Sequence, residues 1–351
     1  MTTLIIGASG AIGRELTLAL ARVNGGGSVV CAIHRTPLPP HLQRLGVRTA
    51  KVDVLDATSL EAAIREHEPN VVWNLAAPLS VETDNDPALA REVTVGGMRR
   101  IIDAMAAGSP RCRTLLFSDS IGSFGADAPR EAASARWLVE NPEQDPGSDY
   151  GRQKRACREL MAGHAFSLGI DARWIVIPGV LHGNHAWGRG TTEYALDAIR
   201  WAVEKSASPP PGARGLGASP PAYICPIDLD TRLPMILVTD LIRAMLALQA
   251  APRSVLREPT AGYAAAGFSF SPRELFARIR ARIPGFRFAA HSAAENGSAA
   301  ARFATLWPDT LSPAAAQRDL GFRATATLSA VVDEIVVAHR AHFGAHALSR
   351  L

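Results

Sequence analysis

The sequence predicts an α/β fold, a parallel sheet covered by helices on both faces, with a smaller C-terminal lobe laid beside it. Three observations predict it. Short apolar runs alternate with amphipathic stretches of helical length from Leu4 to Ile177. A glycine-rich turn joins the first run to the first helical stretch. After Pro178 the alternation breaks, and a Pro-, Gly- and Ser-rich segment from Ser206 to Pro221 reads as an exposed insertion. With 351 residues, 47% of them hydrophobic and 20% charged, the chain can bury one large core and a satellite.

The elements follow in order. Leu4 to Ile6 reads as a strand and Ile12 to Val23 as a helix, then Ser28 to Ile33 as a strand and Leu60 to Glu66 as a helix. Val71 to Leu75 is a strand, followed by a helix around Glu92 to Ala107. Thr114 to Phe117 is a strand, Tyr150 to Leu168 a long helix, and Arg173 to Ile177 a strand. Beyond Pro178 come helices at Thr192 to Glu204, Val238 to Leu248, Pro272 to Ile283 and Leu328 to His339. Residues 1–177 are therefore expected to form the sheet domain and 178–351 mainly a second lobe, with some elements (about 234–263) returning to the first. No internal repeat is visible.

Bulk properties remove several function classes. The formal charge is only +4, and Lys and Arg are scattered, so no nucleic-acid partner is expected. Cys31, Cys112, Cys157 and Cys225 lie far apart without a CxxC pair, which suits a reducing compartment rather than a disulfide framework. Strand-like residues begin at Leu4 without a basic and apolar leader, and no run reaches the ~20 apolar residues that span a bilayer, so no membrane partner and a cytoplasmic location are expected. His182 and His185 have ligand-like spacing but no third partner, and no metal is expected.

Gly7-Ala8-Ser9-Gly10-Ala11-Ile12-Gly13 lies between the first strand and the first helix. Glycines there let the backbone turn tightly and approach a pyrophosphate, which the helix N-terminus attracts. The expected architecture is therefore a doubly wound, Rossmann-type sheet that binds a dinucleotide. An acidic residue at the end of the second strand would bind a ribose 2′-hydroxyl, whereas this chain reads His34-Arg35. Arg35 can pair bidentately with a 2′-phosphate, which favours NADP; NAD stays open, because an exposed arginine is also ordinary. Asp53 and Val54 follow the third strand, where carboxylate and backbone can meet an adenine amino group. Leu75, Ala76 and Ala77 end the fourth, where small residues let a cofactor pass near the backbone.

Tyr150 and Lys154 stand at i and i+4, on one helix face. A phenol is a poor base at neutral pH unless a nearby positive charge favours its ionised form. Ser120, within Ser118-Asp119-Ser120-Ile121-Gly122-Ser123-Phe124-Gly125, lies just past the strand ending at Phe117 and offers a hydroxyl to hold a substrate oxygen. Together these three read as catalytic, with the cofactor supplying the redox chemistry.

In this order the motifs resemble the extended short-chain dehydrogenases, the epimerase/dehydratase group. Further segments are similar to its short-chain L-threonine 3-dehydrogenase branch: Trp73-Asn74-Leu75-Ala76-Ala77-Pro78-Leu79-Ser80, Gly190-Thr191-Thr192-Glu193-Tyr194-Ala195, Thr231-Arg232-Leu233-Pro234-Met235 and Trp307-Pro308-Asp309-Thr310-Leu311. The resemblance spans nearly the whole chain. It implies catalysis by Ser120, Tyr150 and Lys154, a cofactor also touching Pro178, and a substrate facing Leu79, Ser80, Ile121, Gly179, Thr191 and Thr192. Thr192 can equally serve as a helix cap. The implied reaction is oxidation of a 2-amino-3-hydroxy acid at its 3-hydroxyl, and related folds suggest a homodimer through the helices at Glu92 to Ala107 and Tyr150 to Leu168.

The chain departs from that branch in three places. His34 stands where an acidic residue is usual, Val93-Thr94 replaces Val-Asn, and Val176-Ile177-Pro178-Gly179 replaces Arg-Tyr-Pro-Gly. Inserted residues around Glu131 to Asp145 lie near the expected entrance. A related β-hydroxy or β-keto acid handled with NADP(H) is therefore an alternative substrate. A sugar-nucleotide epimerase shares the fold, and a non-catalytic NADP sensor is the rival from another class. A 4,6-dehydratase would need a carboxylate pair after Ser120, where Ile121-Gly122 stands.

Overall fold

The computed structural model describes residues 1–77, 86–183, 190–206, 221–257, 262–290 and 299–348. Its strands are β1 (Thr3–Ile6), β2 (Val29–Ile33), β3 (Arg48–Lys51), β4 (Val71–Asn74), β5 (Thr114–Ser120), β6 (Asp171–Ile177), β7 (Gly179–Leu181), β8 (Tyr223–Cys225), β9 (Leu233–Leu237), β10 (Tyr263–Ala264), β11 (Phe268–Phe270) and β12 (Phe288–Ala290). Seven of them form one sheet in the order β3-β2-β1-β4-β5-β6-β10, parallel at every pairing.

The apolar runs explain this arrangement. Every residue of β1 and of β4 is buried, so these strands read as unbroken apolar segments covered on both sides. Leu4 and Ile6 face one core, filled by Leu60 and Ile64 of the helix Ala57–His67 and by Ile101 and Met105 of the helix Gly97–Gly108. Ile5 faces the other core, with Leu16 and Leu20 of the helix Ala11–Asn24 and Leu241 and Met245 of the helix Val238–Ala250. Truncating a fully buried residue such as Ile5 to Ala costs about 2–5 kcal/mol. Two-sided cover is what makes the sheet doubly wound.

Two of the expected boundaries that move lie near the candidate site. β5 does not stop at Phe117 but runs through Ser118, Asp119 and Ser120, which pair with Ile175, Val176 and Ile177. The polar residues stay in the strand because they have partners: Asp119 forms an ion pair with Arg158, and Ser118 Oγ donates to Asn74 O at 3.5 Å. Ser120 is thus the last residue of the strand, not a residue beyond it. The helix expected from Glu92 begins at Pro87, because Asp86 Oδ1 accepts from Leu89 N at 3.0 Å and caps it. One π-turn, Glu92–Gly96, joins it to Gly97–Gly108.

The second half builds two small sheets. β9 pairs with β7 in parallel and β11 in antiparallel, and β8 pairs with β12. Aromatic rings fill the space between β8, β12 and the helix Pro272–Arg282, with Tyr223 and Phe276 edge to face at 5.7 Å. The helix Val238–Ala250 packs on Ala11–Asn24, and β10 lies on the edge of the large sheet. The four cysteines are buried and unpaired. No described helix is long and apolar enough to cross a membrane.

Candidate active site

The candidate catalytic corner forms where β5 ends against the helix Asp149–Leu160. Ser148 Oγ caps that helix by accepting from Gly151 N at 3.1 Å. Helix and serine loop then meet backbone to backbone. A Cβ on Gly151 would stand 2.1 Å from Gly122 O, and one on Gly125 would stand 1.8 Å from Asp145 O. Only glycine permits either contact.

This closeness brings the expected residues together. A point one carbon out from Gly122 lies 3.1 Å from Tyr150 Cδ1 and 3.5 Å from Ser120 Oγ. Both side chains are half-buried, so they remain within reach of a ligand. Ser120 Oγ accepts from Gly122 N at 3.1 Å, which fixes the oxygen and leaves its proton to donate. Lys154 is buried; its Nζ donates to Ser118 O at 2.8 Å and lies 5.4 Å from the Tyr150 ring centre and 4.6 Å from that of Phe117.

The glycine turn lies against the end of β4. Gly7 has φ +88°, and a Cβ there would stand 3.0 Å from Leu75 C and 3.1 Å from Ala76 N. Gly13 allows the helix to close on the strand, since its Cβ would be 2.2 Å from Gly7 O. The helix Ala11–Asn24 starts at Gly10 without a side-chain cap, so the amides of its first turn, from Ala11 and Ile12 onward, are offered to a ligand. Cramped glycines ahead of an uncapped helix suit a pyrophosphate, and the residues present fit a dinucleotide. Ser9 Oγ donates to Thr36 O at 2.6 Å, tying this turn to the segment after β2.

That segment carries His34 and Arg35, both exposed. His34 Nε2 lies 3.3 Å from Asp53 Oδ2, so the carboxylate expected to meet an adenine is shared with the histidine standing where an acid is usual. Val54 packs on Gly97, whose Cβ would lie 3.2 Å from Val54 Cβ.

On the substrate side, Ile121 is buried, and Gly179 abuts Thr192, whose Cβ would be 2.7 Å from a Cβ on Gly179. Thr192 sits inside the 3-10 turn Thr191–Glu193, which begins after Gly190 and leads into the helix Tyr194–Ser206. Leu79, Ser80, His185 and most of the Ser206 to Pro221 segment lie outside the described residues. Among the described residues no group of three His, Cys, Asp or Glu side chains gathers.

Three features escaped the sequence reading. Burial pushes Glu193, beside Thr192, up to about 7. Asp119 and Arg158 form an ion pair beneath Ser120, their closest atoms 2.6 Å apart. Gly122, Gly125 and Gly151 form the close contact itself, and their crowding around Ser120 and Tyr150 was the one available signal for it.

Comparison with known proteins shows the family. Residues 3–259 match the NAD dependent epimerase/dehydratase family. The chain belongs to that family. Its members are NAD-dependent enzymes acting on a CH–OH group, and this protein is a nicotinamide-dinucleotide-dependent enzyme acting on the same group. It is 26% identical to the mitochondrial L-threonine 3-dehydrogenase of Sus scrofa, over 97% of this chain and 83% of the relative. The holo form of a GalE-like L-threonine dehydrogenase from Cupriavidus necator superposes with a TM-score of 0.80 at 27% identity, covering 96% of this chain and 99% of that one. UDP-glucose 4-epimerase of Thermus thermophilus with NAD shares the fold at 20% identity and a TM-score of 0.75, covering 97% and 99%.

Proposed function

We propose that this family member is an oxidoreductase interconverting a secondary alcohol and a ketone on a small 3-hydroxy acid, with 2-amino-3-hydroxy acids foremost. The observation that carries this reading is the single point beside Gly122 flanked by both the Tyr150 ring and Ser120 Oγ. A substrate alcohol lying between the Ser120 hydroxyl and the Tyr150 phenol would accept the Ser120 proton in a hydrogen bond and give its own proton to Tyr150. Lys154, held on Ser118 O, places a positive charge beside the phenol and favours the form that accepts. The nicotinamide, when bound, supplies the two-electron acceptor. Gly7, Ser9, Gly10, Ala11, Ile12, Gly13, Leu75, Ala76, Ala77 and Pro178 would hold the dinucleotide, with Asp53 and Val54 at the adenine.

The size of the substrate is inferred from Thr192 closing on Gly179 and from the threonine dehydrogenases among the relatives. Arg35 supports NADP over NAD at the adenosine ribose, since the usual carboxylate is replaced by His34. The division into a cofactor domain and a substrate lobe near Pro178, a cytoplasmic location, and a homodimer through the helices Gly97–Gly108 and Asp149–Leu160 belong to the same proposal.

The test is spectrophotometric. Purified protein is given L-threonine, other 3-hydroxy acids and UDP-glucose, each with NAD⁺ and NADP⁺, and Tyr150→Phe serves as control. Cofactor reduction with a 3-hydroxy acid, lost in the variant, is expected. Activity confined to UDP-glucose would overturn the substrate reading, and silence on every arm would overturn the proposal.

A further inference from the structure

Beneath the candidate catalytic residues lies a second layer of charge. Asp119 is fully buried and sits between Ser118, whose carbonyl holds Lys154, and Ser120. Arg158, one helical turn beyond Lys154, places Nη1 2.6 Å from Asp119 Oδ2 and 2.8 Å from Ser123 Oγ. Ser123 Oγ in turn donates to Asp119 Oδ1 at 2.6 Å. The guanidinium rests 5.3 Å from the Trp174 ring centre, and its Nη2 is buried without a hydrogen-bond partner. Strand and helix are thus joined by two cationic rungs, Lys154 to Ser118 and Arg158 to Asp119.

Burying an ion pair is costly, and a well-packed apolar pair would serve stability as well or better. Its position suggests another use. We propose that Asp119 and Arg158 are positioning residues for Ser120, Tyr150 and Lys154: they fix the serine loop against the Tyr–Lys helix, and their mutual neutralisation leaves Lys154 as the net buried cation acting on Tyr150. This inference rests on the catalytic reading above and names a regulator of the same site. The inner charged groups are Lys154, Asp119 and Arg158. Among them lies the Cys157 thiol, pushed up to about 12 by burial and therefore uncharged at neutral pH. At the exposed start of the same helix, Arg152 pairs with Asp145 and Asp149.

The sign of the effect follows from charge alone. Asp119→Asn keeps the shape and removes the compensating carboxylate, so Arg158 adds its charge to that of Lys154 and favours phenolate. A second removal, Asp119→Asn with Arg158→Gln, restores the balance. Arg158→Lys keeps the charge but loses the planar guanidinium that rests on Trp174 and carries Nη1 to both Asp119 and Ser123.

The first readout needs neither cofactor nor substrate. The chain has four tyrosines, of which Tyr194, Tyr223 and Tyr263 are buried. Burial raises the first two well above the ordinary phenol range, and Tyr263 donates to Asp319. Phenolate absorbance is therefore titrated in the wild type and variants, and the transition missing from Tyr150→Phe is assigned to Tyr150. In Asp119→Asn this transition is expected to move to lower pH, by about half to one unit. The double variant should return it to the wild-type position, and Arg158→Lys should leave it there while lowering kcat several-fold without changing the KM for cofactor.

A folded Asp119→Asn with an unmoved transition, or one moved to higher pH, overturns the inference. Should that variant not fold, the double variant stands in for it: a shifted transition there, or a wild-type kcat, overturns the inference. If Tyr150→Phe keeps its activity, the catalytic reading has failed instead, and the two failures are told apart.

Discussion

The two ends of the proposed dinucleotide site are built by different rules. At the corner assigned to catalysis, backbone lies on backbone: Gly151 faces Gly122 O, Gly125 faces the Asp145 carbonyl, and Lys154 is sealed beneath them. At the adenosine end, side chains meet across open surface; His34 and Asp53 are 47% and 36% exposed. Steric exclusion sets a geometry that one extra carbon would spoil. Exposed, exchangeable side chains are enough where a ligand need only be selected, because their energies are small and reversible.

The strongest way to break this comparison is to remove the phenol. Tyr150→Phe takes away one oxygen and no packing, and kcat is expected to fall about 10²–10⁴-fold with the melting temperature unchanged. Steady-state kinetics beside a thermal melt checks it. Activity within a factor of a few of wild type would move catalysis away from this corner.

Next in size is the glycine contact. Gly151→Ala drives a methyl to 2.1 Å from Gly122 O, so the helix start must shift. The expected cost is about 1–3 kcal/mol in stability, with kcat lower at least about 10-fold because Tyr150 moves with the helix. Gly163→Ala, in the π-turn Met161–Ala165 that continues the same helix, meets nothing within 4 Å and serves as the control. It should be neutral or stabilising by up to about 1 kcal/mol. Equal effects at the two positions would remove the steric argument.

The adenosine end predicts a smaller and purely selective change. Arg35→Ala should lower kcat/KM for NADP⁺ about 10-fold and leave that for NAD⁺ nearly unchanged, as expected for one charge-assisted contact. Parallel loss with both cofactors would assign Arg35 to structure rather than to selection.

These contrasts also decide what could be read from sequence. The sheet was legible because β1 and β4 are buried on both faces and carry unbroken apolar runs. The glycine turn and the Tyr150–Lys154 pair were legible because their chemistry depends on local spacing. The Asp119–Arg158 pair was not, since its partners are 39 positions apart and each is an ordinary surface residue type. Nor was the reach of β5 to Ser120, because a polar triplet resembles a loop until its buried partners are known. The β7, β9 and β11 sheet was missed for the same reason, its strands being short and joined only through distant pairings.

Glu193 lies between the two regimes, half-buried beside Thr192, and it sharpens the comparison through pH. Loss of solvent around its carboxyl raises it from 4.5 to about 7, against the help of the Gly190 backbone. The folded chain therefore holds this proton over a range in which the unfolded chain has released it. Stability contributed by the group is fully present below 4.5 and declines as pH rises toward 7, since ionising a half-buried carboxylate costs more than ionising it in water. Glu193→Gln keeps the shape and cannot ionise. Its melting temperature should match wild type near about pH 4 and exceed it near about pH 8, a difference that opens between those limits. The group is half exposed, so the gain will be smaller than a fully buried carboxylate would give. A constant offset at both pH values would mean that Glu193 meets solvent as freely as His34 and Arg35 do, and the substrate side would then follow the open rule of the adenosine end.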